Sequence, residues 1–228
     1  DSITPRPVLT AAVGWEPSIF AQLSNEFDQL NLMTYDMSGA YPGWVVWHNA
    51  PIYNAGATFP SGGLLPDTDG KVASMIAAGA PATKIGIGMD FYGYVWNGGS
   101  GTPTGGATEP RQSWTSAPWV QGNVPYYNLA DTYGIIEYDY SHPNYRWDDA
   151  AKAAYLSIDN VGSANDKFIS YDNEVTAQEK INYIRTKGLG GMIIWELGGG
   201  YRASKPAGQR DLLLQAVKQA VGGGINDT

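Results

Sequence analysis

Four times along this chain a short apolar run is followed by an amphipathic helical stretch, and this alternation restricts the fold more than any other feature. The runs lie at residues 8–13, 30–33, 84–93 and 190–195. After the first, Pro17 suits the opening turn of a helix whose Ile19, Phe20, Leu23 and Phe27 share one face. Residues 71–78 predict a second helix, stopped at Gly79. Thr176 with Glu179 three residues on reads as a capping box opening a helix that runs to Lys187. Leu212, Leu213, Ala216, Val217 and Ala220 line one side of a last helix over 207–221, ahead of a frayed tail, GGGINDT.

Such alternation predicts a mostly parallel sheet covered by helices, and four units are half of a closed eight-unit barrel. A four-strand arc leaves two unpaired edges and an open inner face. Something must cover them: a missing other half, a second copy of the chain, or flattening into a doubly wound layer. From Asn97 the composition shifts to Gly, Thr, Pro and aromatics, and residues 126–155 hold short β-like pieces with one brief helical stretch at 148–156. Residues 97–166 therefore read as an inserted subdomain. The stretch NGGSGTPTGG lacks the Gly-Lys-Ser/Thr ending of a phosphate-binding loop and reads as a flexible connector.

The chain has 228 residues, enough for one sizeable core or one domain with an insertion. Its formal net charge is -8, with 14 Lys plus Arg and no basic cluster, which disfavours nucleic acid and anionic membranes and favours neutral partners. No stretch approaches the roughly 20 apolar residues of a membrane span. The opening DSITPRP has neither an initiator Met nor a signal-peptide pattern, as expected of a processed or excised chain. There is no Cys, so thiolate chemistry and disulfides are excluded within these residues. His48 and His142 are the two imidazoles, and neither has a second His or a carboxylate at ligand spacing, so no metal and no cofactor are expected.

The heptapeptide NLMTYDM, residues 31–37, ends an apolar strand on a phenol and a carboxylate, Tyr35 and Asp36. The plain reading is a strand end followed by a turn Asp, just as a Trp ending an apolar strand is ordinarily core. Taken together, however, NLMTYD, IGMDFYG and GGMIIWEL resemble the sixth, seventh and eighth barrel strands of family 18 glycoside hydrolases, the chitinases. LTAAV resembles that family's fifth strand, WHNAPIY its loop after the sixth, and HPNYRWDDAAKAAYL with KFISYD its small insertion after the seventh.

The resemblance implies a TIM-type (β/α) barrel of which this chain holds strands five to eight only, a half-barrel, with an α+β insertion after the third strand of the chain. Residues 1–96 and 167–228 would form the half-barrel and 97–166 the insertion domain. It further implies retaining hydrolysis of β-1,4-linked N-acetylglucosamine polymers in which the substrate's own acetamido oxygen is the nucleophile. Tyr35 matches the hydroxyl that bonds the acetamido carbonyl, Asp36 the carboxylate beside the same sugar, and Trp195 the indole that floors it. Met33 and Tyr92 match further wall residues, and Trp44 and Trp47 are placed to stack sugars on the leaving-group side. The partners implied are chitin or its oligosaccharides and a missing N-terminal half-barrel or second copy. Because the polymer cannot enter a cell, secretion is implied.

The family's Asp-x-x-Asp-x-Asp-x-Glu motif, which supplies the general acid, is not in this sequence. Cleavage without a positioned proton donor is slower by about 10² to 10⁴, so the chain by itself is expected to be nearly inactive. Smaller departures are Tyr94 where the family often has Arg, Asp90 where it often has Pro, and Ile193 where Met is common. An alternative function is non-catalytic binding of chitooligosaccharides on the same aromatic floor, and an unrelated small α/β protein is a third.

Overall fold

The computed structural model describes residues 6–160 and 162–223; residues 224–228 of the tail lie outside it. In chain order the first strands are β1 (Thr10–Val13), β2 (Gln29–Leu32), β3 (Ile85–Asp90) and β4 (Tyr92–Asn97). They are followed by β5 (Trp119–Pro125), β6 (Tyr145–Asp148), β7 (Ala153–Ile158), β8 (Lys167–Tyr171) and β9 (Gly191–Trp195). The helices are α1 (Pro17–Gln22), α2 (Thr68–Ala77), α3 (Tyr126–Tyr133), α4 (Glu174–Lys187) and α5 (Leu212–Gly222).

One sheet has the order β1-β2-β3-β9, parallel throughout, and its register sets Asp90 opposite Trp195. Leu30, Leu32, Ile85 and Ile87 bury against Val72 and Met75 of α2 and Ile181 and Ile184 of α4. Gln29 and Asn31 alternate with those leucines and so take the other face, where Gln29 Nε2 donates to Asn31 Oδ1 at 2.6 Å. A Cβ on Gly86 would lie 2.2 Å from that oxygen, so the glycine makes room for a polar side chain on that face of the sheet. Among the described residues no barrel closes: β1 and β9 each pair along one edge only.

The run at 84–93, read from sequence as one strand, is two. At Phe91 the chain leaves the parallel sheet for a second, antiparallel sheet ordered β5-β4-β8-β7-β6. Phe91 N–H donates to Trp195 C=O at 2.8 Å, and its C=O accepts from Tyr126 at 2.9 Å, so this residue pins the junction. Trp96 and Phe168, both fully buried, fill one side of the second sheet with Tyr155 and Val46. Val95, Leu156 and Ile169 pack on the other side with Tyr126 and Leu129 of α3.

Residues 148–156, expected to be helical, instead end β6, turn over 149–152 with Lys152 at φ +53°, and enter β7. Their alanines favour a helix locally, but β7 pairs on both sides, with β6 and β8, and that burial outweighs a propensity of a few tenths of a kcal/mol per residue. The helix of this region is α3, which the sequence reading missed although Pro125 before it and a left-handed Gly134 after it are ordinary boundary signals. The cap of α4 is Asn173 with Thr176, three residues ahead of the expected pair. The last helix begins at Leu212 rather than 207. The Gly-rich stretch is pinned rather than loose: Gly98 N–H and Gly106 N–H donate to the main-chain and side-chain oxygens of the buried Asp166 at 2.9 and 2.8 Å.

Candidate active site

Because the first sheet is parallel, the carboxyl ends of its strands share one rim, the place where β/α folds carry their chemistry. Tyr35 and Asp36 follow β2, Tyr92 follows β3 across the Phe91 junction, and Trp195 ends β9. Close approach is built in at Gly88: a Cβ there would meet the Tyr35 ring at 2.6 Å. The same glycine's N–H donates to Thr34 Oγ1 at 2.8 Å, locking the two strand ends together.

Tyr35 is 5% exposed, packed with Met33, Ala50, Tyr92 and Tyr94, and edge-on to Tyr92 at 5.9 Å. Its hydroxyl is buried without a hydrogen-bond partner among the described residues. A buried donor left unmade costs about 1–3 kcal/mol, which sets this hydroxyl apart from the other phenols of the rim. Burial, then the nearby Asp36 and Asp90 carboxylates, push its pKa up to about 12, so it is a neutral donor at physiological pH.

Asp36 is exposed and sits at φ +58°, a left-handed conformation that Asp tolerates better than most residues. Its Oδ1 accepts two phenols, Tyr92 at 2.6 Å and Tyr94 at 3.0 Å. Both phenols are held protonated, raised first by burial and then by the surrounding carboxylates. The carboxylate therefore has one oxygen clamped by neutral donors, while the other takes no hydrogen bond from the described residues.

Trp195 is 54% exposed and, with Phe91, Tyr92, Asn123, Pro125, Glu196 and Gly199, lines a hollow of about 120 Å³. The peptide joining it to Glu196 is cis. Tyr92 belongs to both groups: its ring lines this hollow and its hydroxyl holds Asp36. Trp44 is half-buried and edge-on to Tyr41 and Phe59, with ring centres 5.1 and 5.0 Å away. Trp47, expected to stack sugars, does not reach the surface. It is fully buried with Val45, Leu65, Ala151 and Ala153, its indole donates to Pro66 C=O at 2.9 Å, and Arg111 covers its ring. The loop after β2 folds back into the core at that point, which an isolated Trp in a sequence does not reveal.

Three residues beneath the rim were not read as site residues. Asn49 Oδ1 accepts the Asp36 amide at 3.0 Å, Asn49 Nδ2 donates to Asp90, and Lys180 approaches Asp90 Oδ1 at 3.8 Å. Burial and the neighbouring Asp172 raise the Asp90 carboxyl well above the usual carboxylate range, while Lys180 and Asn49 oppose them. The signals available were Asn49 inside WHNAPIY, and Asp90 and Tyr94 as departures from a known pattern. His48 and His142 serve as hydrogen-bonding groups, to Asp148 at 3.0 Å and to Tyr133 C=O at 2.9 Å. Among the described residues no group of three or more His, Asp or Glu is placed to hold a metal ion, and no helix is long and apolar enough to cross a membrane.

Chemically, the rim offers an unpartnered neutral phenol, a clamped carboxylate and an exposed indole: a donor, an acceptor and an apolar platform suited to a neutral polar ring. Chitinase A1 of Niallia circulans is 34% identical over 191 residues, covering 78% of this chain and 25% of its own length. Endochitinase 1 of Metarhizium robertsii is 33% identical over 177 residues, 76% of this chain and 36% of that protein. This chain thus spans about a third or less of these two relatives. A family 18 N-acetylglucosaminidase from Paenibacillus barengoltzii superposes with a TM-score of 0.65 at 27% identity, covering 92% of this chain and 55% of that one. The group IV chitinase of Ostrinia furnacalis, at 21% identity and a TM-score of 0.70, shares the fold. The family model for glycosyl hydrolases family 18 matches residues 5–200, and with these likenesses it establishes that the chain belongs to that family.

Proposed function

We propose that this chain is the C-terminal half of a chitinase barrel, strands five to eight with an insertion at 97–166, cleaving β-1,4-linked N-acetylglucosamine polymers once strands one to four join it. The observation that carries the reading is the buried Tyr35 hydroxyl, without a hydrogen-bond partner among the described residues, beside an Asp36 clamped by Tyr92 and Tyr94. In the reaction the acetamido carbonyl oxygen attacks the anomeric carbon, the leaving sugar oxygen takes a proton, and water then opens the cyclic oxazolinium with net retention. Tyr35 donates to the acetamido carbonyl and Asp36 receives a donor from the same sugar, holding the nucleophile in line. Trp195 packs against the apolar face of the pyranose, and Met33, Tyr92 and Trp44 complete its walls. The open edges of β1 and β9 are where the partner half, or a second copy, pairs. Action on a polymer places the enzyme outside the cell.

The proton donor is the missing part: the acid motif is not in this sequence, and the proposed half-barrel by itself is nearly inactive. That same fact supports the alternative, a non-catalytic chitooligosaccharide binder. Hydrolysis of a fluorogenic chitobioside, by the chain alone and mixed with a polypeptide carrying the acid-motif half, separates the two. Activity that needs the second half is expected. Strong activity from the 228 residues alone overturns the incompleteness reading, and tight oligosaccharide binding without activity in any mixture favours the binder.

A further inference from the structure

The Asp36 turn, in the left-handed region, needs support from outside its own backbone. Asn49 supplies it. Its Oδ1 accepts the Asp36 N–H at 3.0 Å and its carbonyl accepts the Met37 N–H at 3.0 Å. Asn49 is completely buried, so no ligand reaches it.

An asparagine carries a carbonyl and an NH₂ of nearly the same shape, and only its partners decide which way it faces. Here Asn49 Nδ2 donates to Asp90 Oδ2, and its main-chain N–H donates to Ser170 Oγ at 2.9 Å. The Asp36 N–H can only donate, so the Asn49 carbonyl faces it and the NH₂ faces the Asp90 carboxyl. Asp90 is itself fully buried and is held from beneath. Its N–H donates to Asp172 Oδ2 at 3.3 Å. Lys180, on α4, donates to Asp172 and, at 3.0 Å, to the Gly88 carbonyl, and stands 3.8 Å from Asp90. A proline at position 90 would offer neither the acceptor nor the N–H.

Resting on the sugar-binding reading of the rim, we propose that Asn49 and Asp90 are positioning residues for Asp36. They hold the turn that aims its carboxylate, with Lys180 and Asp172 fixing Asp90 from the helical side. Tyr92 and Tyr94 hold the carboxylate itself, so the two supports act on different atoms of one residue.

The test uses the full chain, with chitotetraose binding by calorimetry and amide hydrogen exchange as its two readouts. Asp90→Leu is expected to weaken binding about 10-fold, Asp90→Asn, which keeps an acceptor for Asn49, by less than about 3-fold. Combined with Asp36→Ala, Asp90→Leu should add less than about a 2-fold loss, because coupled sites are not additive. An equal loss with and without the Asp36 side chain would mark a merely structural role and overturn the inference. Exchange at the Asp36 amide should quicken about 10-fold in Asp90→Leu while the Leu156 amide in β7 is unchanged; unaltered exchange at Asp36 also overturns it. Should Asp90→Leu fail to fold, Asn49→Ala leaves the Asp90, Lys180 and Asp172 group intact and is read the same way. If the wild-type chain does not bind chitotetraose, the sugar reading fails, and the exchange result still decides the positioning role.

Discussion

Strand β7, in the antiparallel sheet, is buried from Ala153 to Ser157, whereas β9, at the edge of the parallel sheet, is half-buried from Gly191 to Ile194 and exposed at Trp195. Both are apolar in sequence. The difference is in what covers them: β7 lies between β6 and β8 and packs with residues of α3 and α4, while among the described residues β9 has a strand on one side only. Trp96 and Trp195 show the same contrast in single residues, one at 0% and the other at 54% exposure. The antiparallel sheet fills its own core, and the parallel sheet keeps its apolar and aromatic rim available, which is where the Tyr35, Asp36 and Tyr92 group sits.

The contrast is open to direct tests. Trp96→Ala should remove about 4 kcal/mol of stability, the cost of a large cavity in a closed core, measured by urea unfolding; a loss under about 1 kcal/mol would show that the second sheet is not packed as described. Lys180→Met leaves Asp90 and Asp172 buried without their cation and should cost about 3 kcal/mol. Because Lys180 sits between the two sheets, fluorescence and circular dichroism should report one shared transition, and separate transitions would break the link.

Tyr35 gives a pH signature. Its phenol is raised from 10.0 to about 12, so the folded state holds this proton more tightly than the unfolded state. Its contribution to stability is complete below pH 10 and declines as pH rises toward 12. Across that window the decline should be shallower in melting curves of Tyr35→Phe, with other buried phenols such as Tyr92 and Tyr94 still contributing, and an identical decline would show that the phenol is not buried. The smallest effect on stability belongs to Trp195→Ala, within about 0.5 kcal/mol because the indole is already exposed. The same substitution should weaken chitotetraose binding about 10-fold or more; unchanged binding would remove the indole from the site.

The four parallel strands were readable because each is a short apolar run bounded by turn residues, and burial of such runs is the rule. Tyr35, Asp36 and Trp195 were singled out by the motifs they belong to, and the structure sets them at or just past the ends of β2 and β9. The hairpin at β6 and β7 was not, because AAKAAYL carries helix-favouring residues whose strand pairing is decided by neighbours β8 and β6. Trp47 was not either: a tryptophan in an aromatic loop looks the same whether it faces a cleft or Leu65 and Val45.

What the amino-acid order determined by itself was local: where apolar periodicity changes, where Pro17 and Gly79 bound helices, which residue types end the strands, and a formal net charge of -8. What only the tertiary structure decided was convergence. Asp36 meets Asn49 across 13 residues, Asn49 meets Asp90 across 41, and Lys180 reaches Gly88 across 92. The physical reason is that hydrogen bonds and buried charges act over a few ångströms in space, whatever the distance along the chain. Periodicity can say that a side chain leaves the core, but only packing says which other side chain it meets there.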